Sequence, residues 1–168
     1  GPARADDRGR ELVERELYLA WLDSRIDASG TSQEREIRAK CLGLMREMLR
    51  ETPLKVVGNL ARSNLHIVII PKASRLTDHP LFSGLKGDET HDGRQIEGIR
   101  GISNVPAPDG AMSMAVGEES LTGKTYFDSG AYMPKHIFIH EFAHDLHISG
   151  LSPATRMEIT ATFWGRQQ

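Results

Sequence analysis

Cysteine is almost missing from this chain: a single thiol, Cys41, among 168 residues leaves no partner for an internal disulfide, so burial must hold the fold. Cys41 falls on the apolar stripe of a helical pattern and reads as a small core residue. No run reaches the roughly 20 apolar residues of a membrane-spanning helix, and the N-terminus has no apolar core of a signal peptide. Charge of one sign is not in surplus either. With 21 basic and 23 acidic residues well mixed and a net charge of -2, there is neither the basic face that nucleic acid demands nor an acidic tail. Neither a membrane span nor a nucleic-acid partner is expected. Repeats and low-complexity tracts are missing too, and the length suits one domain spanning 1–168. Gly1-Pro2 has the look of a scar left by tag removal, which leaves the native start, any targeting segment and the compartment open.

Apolar periodicity predicts a first helix over about Glu11–Asp27, on Val13, Leu17, Ala20 and Trp21 with Leu12, Leu19, Leu22 and Ile26 beside them. After Ser29-Gly30-Thr31-Ser32, the positions Ile37, Cys41, Leu44, Met45 and Met48 predict a second helix as far as Arg50, with Pro53 marking its end. Leu65–Pro71 is short, β-branched and bounded by turn formers, which suits a buried strand, and Leu54–Val57 reads as another. From Lys72 to Asp109 the chain is irregular and rich in glycine and proline, the kind of long loop that tends to carry function. Met112–Gly117 alternates weakly and reads as an edge strand. A helix follows from about Pro134 to Ile148 with Gly150 as its stop, then a last one from Ser152-Pro153 through Phe163. The expected class is α+β.

Within the Pro134–Ile148 helix stands His140-Glu141-Phe142-Ala143-His144. Residues four apart on a helix lie on one face about 5–6 Å apart, so the two imidazoles can close on one metal ion from the same side. Glu141 sits next to the first ligand, where its carboxylate can reach a metal-activated water without itself binding metal, as the general base of a zinc peptidase must. Independent placement would produce this pattern by chance in roughly 2% of such chains. The context adds weight: four of the seven histidines lie between His136 and His147, and Ile137, Phe138, Ile139 and Leu146 are the filling of a buried active-site helix. His140 and His144 are the expected zinc ligands and Glu141 the expected catalytic base.

A catalytic zinc takes three protein ligands and one open position. His147 shares the helix face, but seven residues of straight helix rise about 10.5 Å, while atoms bound to one zinc stand within about 4 Å of each other. His147 joins only if the helix breaks, and the Gly and His positions of a metzincin are reversed here, so it reads as cleft lining or packing. The in-chain candidate is Glu158, whose level on an antiparallel last helix would match that of His144; otherwise the third ligand lies beyond Gln168.

The run Leu76-Thr77-Asp78-His79-Pro80, then Asp92-Gly93-Arg94, Ile99-Arg100-Gly101, Val116–Leu121 and Ile139–His147 with Gly150-Leu151 resembles a group of largely uncharacterised fungal and bacterial zinc metallopeptidase-like proteins. Through them it is similar to the gluzincin catalytic domain of the anthrax-lethal-factor type. The resemblance covers about the C-terminal half. It implies a zincin-like fold, zinc on His140 and His144, and Glu141 as the base. The family pattern continues with a Tyr that stabilises the oxyanion and, seven residues on, a Glu that completes the metal site. No such stretch precedes Gln168, so the expectation is a shortened chain, a remainder supplied elsewhere, or a site rebuilt around Glu158.

Hydrolysis of a peptide bond is therefore the expected reaction, on a peptide or protein substrate paired to the Met112–Gly117 edge. Asp78, Arg94, Arg100, Glu118 and Glu119 are loop charges that could hold that substrate strand, although such residues more often cap or are solvated. Two other classes fit the same residues: an inactive zincin-fold module that binds peptides, and a peptidase effector domain cut from a larger secreted polypeptide.

Overall fold

The computed structural model describes residues 2–122 and 135–151, and among them it has four α-helices and a four-stranded mixed sheet, an α+β architecture. In chain order these are α1 (Pro2–Ser24), β1 (Ile26–Asp27), α2 (Glu34–Leu49), α3 (Leu54–Arg62), β2 (His66–Ile70), β3 (Gly101–Pro106), β4 (Met112–Gly117) and α4 (Lys135–Asp145). None of these helices is long and apolar enough to cross a membrane.

Helix α1 buries less than its apolar content suggests. Leu19 and Leu22 reach the core, but Leu12, Val13 and Leu17 stay exposed. It stops at Ser24, and the residues expected to be its last turn, Ile26 and Asp27, turn into a strand instead. Arg38 closes that corner by donating to the carbonyls of Ile26 and Asp23. Helix α2 follows its spacing closely, with Ile37, Cys41, Met45 and Leu49 buried at every fourth position; burial pushes the Cys41 thiol pKa up, as an inert core thiol requires.

Leu54–Val57, expected as a strand, is the first turn of α3. The apolar period continues past Gly58: Val57, Leu60 and Ala61 are buried on one side, a helical pattern that a four-residue window misses. Gly58 sits in the helix because a Cβ there would stand 3.0 Å from the Tyr18 ring of α1.

The strand order is β1-β2-β4-β3, with β1, β2 and β4 parallel and β3 antiparallel to β4. Met112–Gly117 is thus an interior strand, paired on both sides, and not the expected edge. Among the described residues the sheet ends at β1 on one side and, beside β4, at β3, a strand inside the stretch read as irregular. Its register slips between Ile102 and Val105, and Asn104 there takes a left-handed φ of 55°, so the period-2 alternation that would have marked a strand is broken.

Two cores flank the sheet. On one face the helices pack Leu22, Ile37, Met45, Leu60, Phe138 and Phe142 against Ile67, Ile69, Met114 and Val116. On the other, the 72–100 loop folds through three short 3-10 turns and packs Leu76, Phe82 and Ile96 against Val68, Ile70 and Ala115. Because β2 is covered on both faces, its sequence is one apolar run instead of an alternation.

Candidate metal centre

Helix α4 is oriented by its two phenylalanines. Phe138 and Phe142, one turn apart, are both fully buried and stacked at 5.6 Å between ring centres. Residues two positions away lie on the opposite side of a helix, so anchoring these rings turns His140 and His144 outward. The His140 side chain is 67% exposed, and the two imidazole Nε2 atoms stand 3.2 Å apart with the rings nearly perpendicular. Two nitrogens at 2.0–2.1 Å from a tetrahedral zinc are separated by roughly 3.3 Å, a spacing close to that of this pair.

Glu141 lies about 100° around the helix from His140 and about 60° from His144, with its side chain only 13% exposed and Oε1 4.0 Å from His140 Nε2. It leans on β3. A Cβ on Gly101 would stand 2.7 Å from Ile137 Cγ2 and 3.4 Å from Glu141 Cγ, so α4 approaches the edge strand as closely as it does because residue 101 has no side chain. One turn beyond Glu141, Asp145 is fully buried and its Oδ1 accepts the Asn104 backbone N–H at 3.2 Å. Burial, with the charge of Glu141 adding to it, pushes the Asp145 carboxyl up to about 7 against the opposing pull of the Asn104 N–H. Ile137, Glu141 and Asp145 thus form an i, i+4, i+8 stripe that rides along β3. The sequence runs contain both Asp145 and Gly101 but assign neither a role, although Asp145 sits four residues after Glu141 on the same helix face.

Gly117 N–H donates to Arg100 O beside the Gly101–Val116 pair. In antiparallel alternation this leaves the N–H and C=O of Gly101 pointing away from β4. Among the described residues, β3 has no strand on that side. Free main-chain groups and the Glu141 carboxylate are therefore neighbours.

After Asp145 the helix widens into a π-turn over Leu146–Gly150. Gly150 is buried against Val56, and its carbonyl accepts from the Asn59 side-chain amide. His147 lies in this turn and does not join the pair: among the described residues no group of three His, Cys, Asp or Glu could hold a metal ion. Glu158 and the expected last helix lie outside the described residues.

The loop charges go elsewhere. Arg100 makes a two-pronged pair with Glu119 and donates to the carbonyls of Ser74, Ile70 and Pro71. Glu118 is buried and accepts from the backbone and hydroxyl of Ser32. Asp78 caps the turn at Arg75, and Arg94 pairs with its neighbour Asp92 in solvent. Arg100, Glu118 and Glu119 are thus taken up within the fold, while Asp78 and Arg94 bond to near neighbours at the surface.

No family model matches this chain, and neither does any curated protein or solved structure.

Proposed function

We propose that the chain is a zinc-dependent peptidase of the gluzincin kind, with His140 and His144 holding the metal and Glu141 as general base. The observation that carries this reading is the pair of Nε2 atoms 3.2 Å apart with the Glu141 carboxylate alongside. Zinc, when bound, would polarise the scissile carbonyl and acidify the attacking water. Glu141 takes the proton as water attacks and passes it to the departing amine. Its packing against Gly101 keeps the carboxylate from swinging away. An extended peptide pairs with the open edge of β3 through the outward main-chain groups of Gly101, a placement that replaces the Met112–Gly117 edge.

The experiment is zinc stoichiometry and peptide hydrolysis in three variants. Glu141→Gln is expected to lose at least about 10²-fold in kcat with zinc retained, because a general base is not a ligand. His140→Ala and His144→Ala are expected to lose the metal. Unchanged zinc content in both histidine variants would remove the reading. A second reading, a zincin-like module that binds peptides without cutting them, predicts peptide binding without turnover in the unaltered chain.

A further inference from the structure

Among the described residues, α4 makes one hydrogen bond to the sheet, the bond from Asn104 N–H to Asp145 Oδ1. Everything else that joins them is apolar contact and the close approach at Gly101. Apolar packing resists separation but tolerates sliding, because it is non-directional; a hydrogen bond to a fully buried carboxyl does not. The bond also falls where it is needed. The β3–β4 ladder is interrupted between Ile102 and Val105, so the Asn104 N–H has lost its strand partner, and the left-handed backbone of Asn104 turns it toward the helix. Left unpaired in the interior, it would carry its full desolvation penalty.

Resting on the peptidase reading, we infer that Asp145 is a positioning residue: by holding the Asn104 N–H it fixes the bulged edge strand against the helix that carries His140, Glu141 and His144. Asp145 directly follows His144 and lies one turn from Glu141, so the clamp sets how far the open main chain of Gly101 stands from the carboxylate. It also bounds the pairing edge. Asn104 has its N–H turned inward, and Pro106, at the far end of β3, has none to offer, so a peptide finds strand-like donors only toward the Gly101 end.

The test compares Asp145→Asn and Asp145→Ala with the unaltered chain in the presence of zinc, reading hydrogen exchange at the Asn104 amide, zinc stoichiometry, and KM and kcat on an extended peptide. In Asp145→Asn an oxygen remains to accept, so Asn104 stays protected and KM is unchanged. In Asp145→Ala exchange at Asn104 accelerates at least about tenfold while the Ile102 amide, paired to β4, does not change. Zinc is retained, and KM rises about tenfold with a much smaller change in kcat. Protection of Asn104 in Asp145→Ala overturns the clamp, and unaltered KM despite lost protection overturns its role. If Asp145→Ala does not fold, Asp145→Asn decides alone, and loss of Asn104 protection in it refutes the inference. A chain that takes up no zinc, yet shows Asn104 protected until Asp145 is replaced by Ala, defeats the metal-centre reading and leaves the clamp as a structural contact only.

Discussion

Glu141 and the two histidines beside it are held very differently, and the difference suits the tasks proposed for them. The imidazoles project from the outer face of α4, open to a ligand, while the Glu141 carboxylate lies against Gly101 with little freedom. A base that must accept a proton and then deliver it gains from such restriction, since positioning within a fraction of an ångström governs the rate. Gly101→Ala tests this at a single atom. The new methyl would stand 2.7 Å from Ile137 Cγ2, so the Ile137 side chain, the helix or the strand must shift, at about 1–3 kcal/mol of stability. The expected outcome is a lowered melting temperature together with a fall in kcat/KM and little change in zinc content. Full activity in that variant would show that the close approach has no catalytic use.

Among the elements, the loop over residues 72–100 behaves as a second structural layer. Phe82 is fully buried beneath it, and His79 pins it to the end of β1. Leu81 N–H donates to His79 Nδ1, which fixes Nε2 as the nitrogen that donates to Asp27 at 3.0 Å. Partial burial works against the Asp27 carboxylate, but bonds from Ser29 and His79 outweigh it and keep its pKa low. Phe82→Ala should cost about 3–5 kcal/mol in denaturant unfolding. Since the loop covers the face of the sheet away from α4, zinc uptake should survive in the molecules that remain folded. The Arg100 latch has a pH signature. Burial raises the Glu119 pKa, but the bonds from Arg100 prevail and hold it below the usual value. A carboxylate lowered in the folded state contributes stability that is fully present above its unfolded pKa and is lost as pH falls through the folded one. Glu119→Gln should therefore destabilise the protein at neutral pH and flatten the acid limb of its stability curve, measured by unfolding between pH 7 and pH 3.

For the whole molecule, the proposed function requires that the His140–His144 pair be completed by a third ligand. A zinc held by two histidines binds weakly, whereas a third carboxylate closes the site to the usual three ligands. On the proposed gluzincin reading the third ligand would be a Glu that follows a Tyr, and Glu158 has no such context. Glu158→Gln is therefore expected to leave zinc affinity nearly unchanged in a direct titration. A loss of an order of magnitude or more would identify it as the ligand instead. Zinc-dependent thermal stabilisation, abolished by His140→Ala, should accompany binding in either case.

Much of this was legible in the chain itself, because the relevant information is local. The α+β class, helix α2, the buried β2 run and the His140–Glu141–His144 face all follow from spacing along a few turns, where backbone geometry converts sequence distance directly into spatial distance. What lay beyond reach depends on contacts between distant residues. No local pattern distinguishes Met112–Gly117 as an interior strand, since that depends on what lies to either side of it. Strand β3 was hidden because its bulge, stabilised by Asp145 41 residues away, breaks the alternation that reveals a strand. The burial of the Asp145 carboxyl, the fit of α4 over Gly101 and the internal use of Arg100 and Glu119 were likewise decided only when the tertiary structure set burial and direction, which a linear spacing does not encode.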